Sequence, residues 1–306
     1  MLRYTLRRVV LLVPVLVGVS LVSFSLLHLI PGDPVLILVG IDASPEVIER
    51  TRADFGLNEP LPVQYVHYVT RAVQGDLGIS IRTRDPVAQV LLGRFQFTFQ
   101  LTLVSIGLAV VIGVLAGVLA ATHQGSWLDA GMMVLALGGI SVPSFWLGLL
   151  LLQVFAGTLG WLPAGGSGTP QHLLLPALVL GTSGAAVVAR MTRGSMLDVI
   201  RQDYIRTLHA NGLAESIIVY RHALRNALNP VITVVGLQFG ALMAGAVVVE
   251  TVFSLPGVGR LMVNAIFNRD YPVIQGGMLL LAVAFVAVNL LTDLAYALVN
   301  PRIRYS

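Results

Sequence analysis

Apolar positions in this chain come in long unbroken runs, not in the alternation of a strand or the one-sided stripe of a soluble helix. A helix needs about 20 apolar residues to cross the hydrocarbon core of a bilayer. Six stretches meet or approach that length: residues 9–30, 97–121, 132–155, 173–189, 230–249 and 278–299. They predict an all-α polytopic membrane protein with six transmembrane helices. The fourth stretch is short, which implies either little tilt or extension into its flanks. Arg3, Arg7 and Arg8 precede the first, as in a signal peptide. That stretch is longer than the usual apolar core of about 7–15 residues, and His28-Leu29-Ile30-Pro31 offers no small-residue cleavage site, so it reads as a retained helix.

Arginine placement orients the spans. With the N-terminus inside, the inner segments hold Arg3, Arg7, Arg8, Arg190, Arg193, Arg201, Arg206, Arg221, Arg225, Arg302 and Arg304. The short outer loops hold only Arg260 and Arg269. The long first loop carries six arginines, but loops of that length translocate largely regardless of charge. Both termini are therefore expected to be cytoplasmic. The chain divides into an N-terminus with the first helix (1–30), an extracytoplasmic segment (31–96), and a core of five helices (97–306) with a cytoplasmic loop over 190–229. The outer segment sets eight acids against its six arginines. Its pattern predicts helices over 45–55 and 63–73, with turns at Pro31-Gly32-Asp33-Pro34 and Gly75-Asp76. It is too long for a connector and is expected to form a small folded extracytoplasmic domain between helices 1 and 2.

Composition sharpens this picture. Only 11% of residues are charged, against about 25% in soluble domains. Membrane lipid must therefore be the solvent for much of the surface. The net charge of +4 does not indicate nucleic acid, because the arginines cluster beside apolar spans. There is no cysteine, which removes thiolate metal sites and disulfides. All nineteen basic residues are arginine. A Walker-type phosphate loop needs its lysine, so any ATP hydrolysis must come from another chain. No catalytic, cofactor-binding or metal-binding residue is expected here.

The loop over 190–229 is the most informative segment. Leu197, Ile200, Tyr204 and Leu208 fall on one helical face. Asn211-Gly212 reads as a helix stop, a second helix is expected over 214–228, and Pro230 marks the return to the membrane. A helix, a glycine turn and a second helix make a projecting elbow. One reading is a solvated connector, another is an element docking into a cytoplasmic partner, and a third packs the apolar face on the membrane domain.

Within this loop, Arg206-Thr207-Leu208-His209-Ala210-Asn211-Gly212 resembles the coupling motif of bacterial ABC importer permeases. Asp203-Tyr204-Ile205 and Arg221-His222-Ala223-Leu224-Arg225-Asn226-Ala227 narrow the resemblance to the dipeptide/oligopeptide/nickel permease family. Further matches are Leu29-Ile30-Pro31-Gly32-Asp33-Pro34, Gly75-Asp76-Leu77-Gly78-Ile79-Ser80, Arg190-Met191-Thr192-Arg193, Phe253-Ser254-Leu255-Pro256-Gly257-Val258-Gly259-Arg260, Arg269-Asp270-Tyr271-Pro272 and Asn300-Pro301-Arg302-Ile303-Arg304. The chain is most similar to the first permease of dipeptide and glutathione importers.

The resemblance implies a type I ABC importer fold in the cell inner membrane. It also implies a second homologous permease, two ATP-binding subunits that hold the ATP and magnesium, and an extracytoplasmic solute-binding protein. Residues 206–212 would be the ATPase-coupling loop. The family usually has Ala where Leu208 stands and basic residues where His209 and Asn211 stand, so this elbow is bulkier and less basic. The outer cap, with the loop over 253–271, is expected to receive the binding protein. The solute, whether a peptide, glutathione or a metal chelate, is not legible.

Polar groups inside spans are functional candidates. Ser141 and Ser144 flank Pro143 in the third span, and Gln238 lies in the fifth; these are the candidate pore-lining residues. Gln153, Thr182 and Ser183 are weaker ones. The competing reading for all six is hydrogen bonding within or between helices. Asp293 reads either as a proton-coupling group or as the partner of an inner arginine such as Arg190; the second is favoured, since an ATP-driven importer needs no proton relay. Glu250 reads as a surface residue at the outer end of its span. Gly113/Gly117 and Gly236/Gly240 are spaced for close helix packing. Two other classes compete. An ion-coupled secondary transporter would need several midplane carboxylates. A serine hydrolase would need a histidine beside Gly139-Ile140-Ser141, and His28 lies at the far end of the first span.

Overall fold

The computed structural model describes residues 2–29, 35–36, 44–54 and 57–299, with side chains described within 10, 12–25, 35–36, 44–50, 52–53 and 57–292. The side chains of Asp293 and His28, together with residues 30–34 of the Pro-Gly-Asp-Pro motif and the 300–304 motif, therefore lie outside the description.

The described chain is helical: α1 (Leu2–Leu29), α2 (Pro45–Asp54), α3 (Leu61–Val73), α4 (Val87–Thr122), α5 (Trp127–Ser141), α6 (Ser144–Thr158), α7 (Gln171–Ile200), α8 (Asp203–Ala210), α9 (Glu215–Val252), α10 (Val258–Phe267) and α11 (Tyr271–Val299). Residues 97–121, 173–189, 230–249 and 278–299 and the described part of 9–30 each fall within one helix, whereas 132–155 is split at Val142 and Pro143. Among the described residues, α4, α7, α9 and α11 are long and apolar enough to cross a membrane, and α5 with α6 makes a fifth crossing if the bent pair is one span. The described apolar stretch of α1, Leu12–Ser25, is shorter.

The third predicted span is interrupted at Pro143. Its axis turns by 102° between Ser141 and Ser144. Val142, forced out of the helical region by the proline that follows, is extended at φ −78°, ψ 123°. Pro230 does not begin a new helix. Helix α9 runs through it from Glu215 to Val252, and the turns over Ile218–Ala223 are π-helical. The fourth stretch, short by itself, is extended into its flanks, because α7 runs 30 residues to Ile200.

The chain forms two compact units. The first comprises residues 1–96 and 257–287. Its core joins Val87 and Leu91 of α4 to Val258 and Ala265 of α10 and Tyr271, Val273 and Ile274 of α11. A buried carboxylate organises the Gly75–Ser80 motif beside it. The Ser80 hydroxyl donates to Asp270 Oδ2 at 2.5 Å, and the Ile81 amide to Oδ1 at 3.1 Å. The Arg82 amide reaches Oδ2 at 3.4 Å. Helix α3 is fixed to α1 by polar contacts, Tyr65 Oη with Ser20 Oγ at 2.8 Å and Tyr68 Oη donating to Ser23 Oγ at 3.1 Å.

The second unit comprises residues 97–256 and 288–306. Helix α7 is its axle and packs chiefly on α9 and α5. Small residues let α4 close on α7. A Cβ at Gly113 would stand 2.6 Å from the Val188 Cβ, and one at Gly117 2.6 Å from the Ala189 carbonyl oxygen. From the opposite side, a Cβ at Gly181 would stand 2.8 Å from the Ser105 carbonyl oxygen. A Cβ at Gly236 on α9 would meet Thr292. Gly113, Gly117 and Gly236 are thus packing devices, as their spacing predicts.

Candidate functional site

The elbow begins where α7 stops. Gln202 turns to an extended conformation, and Asp203 opens α8. One face of α8 is apolar, and that face is not free. Ile205, 1% exposed, enters a core built from Val118 and Ala121 of α4, Met196 and Val199 of α7, and Ile218, Val219, Ala223 and Ala227 of α9. Leu197, Ile200, Tyr204, Leu208 and Leu213 pack around it. The apolar stripe therefore attaches the elbow to its own helices and is not left open for a partner. The phenol of Tyr204 adds a tie, accepting from Asn226 Nδ2 at 2.8 Å.

The turn itself is a Schellman cap. Gly212 takes φ +76°, a conformation that glycine adopts without steric cost. Its amide donates to the His209 carbonyl at 2.9 Å, and that of Leu213 to the Leu208 carbonyl at 3.3 Å. Leu208 and Leu213, both half-buried, pack under it. With the apolar face consumed, what remains outward is polar backbone and side chain: Arg206, Thr207, His209, Ala210, Asn211 and Gly212 are exposed. Arg206 stands 3.5 Å from Asp203. His209 bridges the turn, with Nε2 2.7 Å from Glu215 Oε2. Glu215, and then the Ile205 carbonyl, hold the imidazole pKa above its ordinary value.

Residues that sequence reasoning missed brace the same end of the unit. Arg193 grips Asp129 through two parallel bonds, Nε to Oδ1 at 2.6 Å and Nη2 to Oδ2 at 2.7 Å. Asp129 also accepts the Gly125 amide at 3.0 Å, and Ser126 caps α5 by accepting the Asp129 amide at 3.3 Å. The start of α5 is thereby tied to α7 one helical region before the elbow. Arg193 was visible as part of a motif, but nothing local marked Asp129 as its partner, 64 residues away.

The candidate pore residues are not gathered in the same way. Ser141, exposed, donates to the Leu137 carbonyl at 2.9 Å in the last turn of α5. Ser144 is half-buried at the start of α6, and Gln238 is half-buried on α9. Glu250 is not a surface residue. It is 1% exposed and accepts a 2.5 Å hydrogen bond from the Thr98 hydroxyl. The α4–α9 packing closes over it, which its place near the end of an apolar run could not reveal. Among the described residues no cluster of metal-ligating side chains occurs.

A glycine-packed helical core with an elbow between two of its long helices is the architecture of an ABC-transporter membrane subunit. The fold matches a subunit of the inward-facing MetNI methionine ABC transporter with TM-score 0.61 and 20% identity, over 69% of this chain and 97% of that one. It also matches a chain of an amino acid ABC transporter with histidines, at TM-score 0.51, over 70% and 94%. The chain belongs to the family of binding-protein-dependent transport system inner membrane components. Residues 113–305 match that family, and residues 1–102 match its N-terminal region. Among its relatives are the glutathione transport system permease protein GsiC of Escherichia coli K12, 48% identical over the whole of both chains, and the dipeptide transport system permease protein DppB of Alkalihalophilus pseudofirmus, 45% identical, also over the whole of both. It is a multi-pass inner-membrane permease component.

Proposed function

We propose that this chain forms half of the translocation pore of an importer for small peptides, glutathione or dipeptides among them, and that its elbow couples the pore to ATPase subunits. The observation that carries the solute class is the full-length identity with permeases of that cargo. Six spans place both termini in the cytoplasm, a second permease completes the pore, and two ATP-binding subunits sit beneath. The outer segment and the loop over 253–271 receive the solute-binding protein. Ser141, Ser144 and Gln238 face the pore.

The elbow suits coupling for a physical reason. Ile205 and its neighbours make it rigid with α4, α7 and α9, so a push on residues 206–212 moves helices instead of bending a loop. An ATPase contact at such an elbow can favour one of two arrangements of the bundle, provided it interacts differently with the two. Co-expression with the neighbouring permease, ATPase and binding-protein genes tests the assignment. The complex should purify together, import labelled glutathione or dipeptide, and hydrolyse ATP, while this chain alone hydrolyses none. Uptake that persists without ATPase subunits would overturn it.

A further inference from the structure

His209 sits in the last turn of α8, its side chain 47% exposed, with an oxygen at each ring nitrogen. Nδ1 lies 2.9 Å from the Ile205 carbonyl, which can only accept. Across the Gly212 turn, Nε2 lies 2.7 Å from Oε2 of Glu215. A neutral imidazole carries one N–H and can serve one acceptor; only the imidazolium serves both a carbonyl and a carboxylate. The bond to Glu215 spans the whole turn, from the last residues of α8 to the first of α9. Other charged groups nearby are otherwise engaged or elsewhere. Asp203 and Arg206, on α8 itself, face one another. Arg221 and His222 lie on the π-helical turns that α8 packs against, Asp198 and Arg201 end α7, and His123 at the end of α4 bonds to the Leu119 carbonyl. Among the described residues, Glu215 alone pairs with His209.

We propose that the His209–Glu215 pair is a pH-sensitive clamp on the elbow, stiffening the glycine turn when the ring is charged and weakened, with one of its two bonds and its charge lost, when the ring is neutral. The clamp regulates coupling, and so rests on the reading that this elbow meets an ATPase. The direction follows from linkage. The ring's pKa is raised in the folded elbow, so the clamp is complete below about pH 6.5, the ordinary histidine value, and weakens as pH rises through the raised one. An arginine at 209 keeps its charge throughout.

The test uses the assembled importer in nanodiscs, as wild type, His209→Arg, Glu215→Gln and Gly212→Val. Binding-protein-stimulated ATP hydrolysis is followed from about pH 6 to 8.5, the range in which histidine titrates, with each profile scaled to its own value at the acid end. Retention of the ATPase subunits is measured in parallel. Relative to His209→Arg, wild type should lose roughly twofold in stimulation toward the alkaline end, the scale an exposed pair can supply. The decline in Glu215→Gln should shift to lower pH, because the carboxylate that favours the charged ring is gone. Superimposable wild-type and His209→Arg profiles, with ATPase subunits equally retained, would overturn the clamp and leave the elbow's role intact. If Gly212→Val alters neither retention nor stimulation, the coupling role itself fails, and the clamp with it.

Discussion

Two turns of this protein are held by opposite means. The elbow at Gly212 is held by carbon: Ile205, Leu208 and Leu213 sink into a core shared by α4, α7 and α9. The segment after Gly78 in the first unit is held by one buried charge, the Asp270 carboxylate, which accepts from the Ser80 hydroxyl and the amides of Ile81 and Arg82. Apolar packing is non-directional and tolerates swaps of similar volume. A carboxylate with three donors is directional, and its loss strands all three. The elbow should therefore accept apolar variation beneath and be sensitive at its glycine, whereas the outer turn should depend on one side chain. The comparison also explains which surface is left for partners. Since the elbow's apolar face is spent internally, what is left outward is Arg206, Thr207, Asn211 and backbone.

Asp270→Ala should have the largest effect, costing the first unit about 3–5 kcal/mol through its stranded donors. A thermal melt in detergent reads this, and Asp270→Asn, which keeps an acceptor, should lose well under half as much. An unshifted melt for the alanine variant would remove the carboxylate from the account. Ile205→Ala comes next, at about 2–4 kcal/mol for a truncated buried side chain. Protease cleavage should then appear around 200–215 while the first unit stays resistant; if both units loosen together, the elbow is not an independently anchored element.

Gly212→Val should cost about 1–2 kcal/mol, the penalty of a left-handed conformation for a residue with a Cβ. Transport and ATPase stimulation should fall while membrane insertion survives, and unchanged transport would count against the coupling assignment. The smallest change in stability, within about 0.5 kcal/mol, is expected from joint Arg82→Glu and Arg84→Glu substitution at exposed positions. Its effect should appear instead as weaker, more salt-sensitive association with the binding protein. Unaltered association at low salt, where charge effects are greatest, would move the docking face elsewhere.

The sequence by itself determined the apolar runs, the absence of a lysine-based phosphate loop, the close-packing glycines and the positive-φ stop at Gly212. Each follows from residues within one or two turns of each other: transfer of a 20-residue run to lipid depends on its own composition, and a left-handed cap on having no Cβ. Only the tertiary structure decided where the elbow's apolar face goes, how sharply the chain turns at Pro143, that Glu250 is buried against Thr98, and that Asp129 belongs to Arg193. These depend on which helices lie side by side. A carboxylate near a span's end looks the same on paper whether it faces water or a threonine from a helix 152 positions away, because burial is a property of the neighbour and not of the residue.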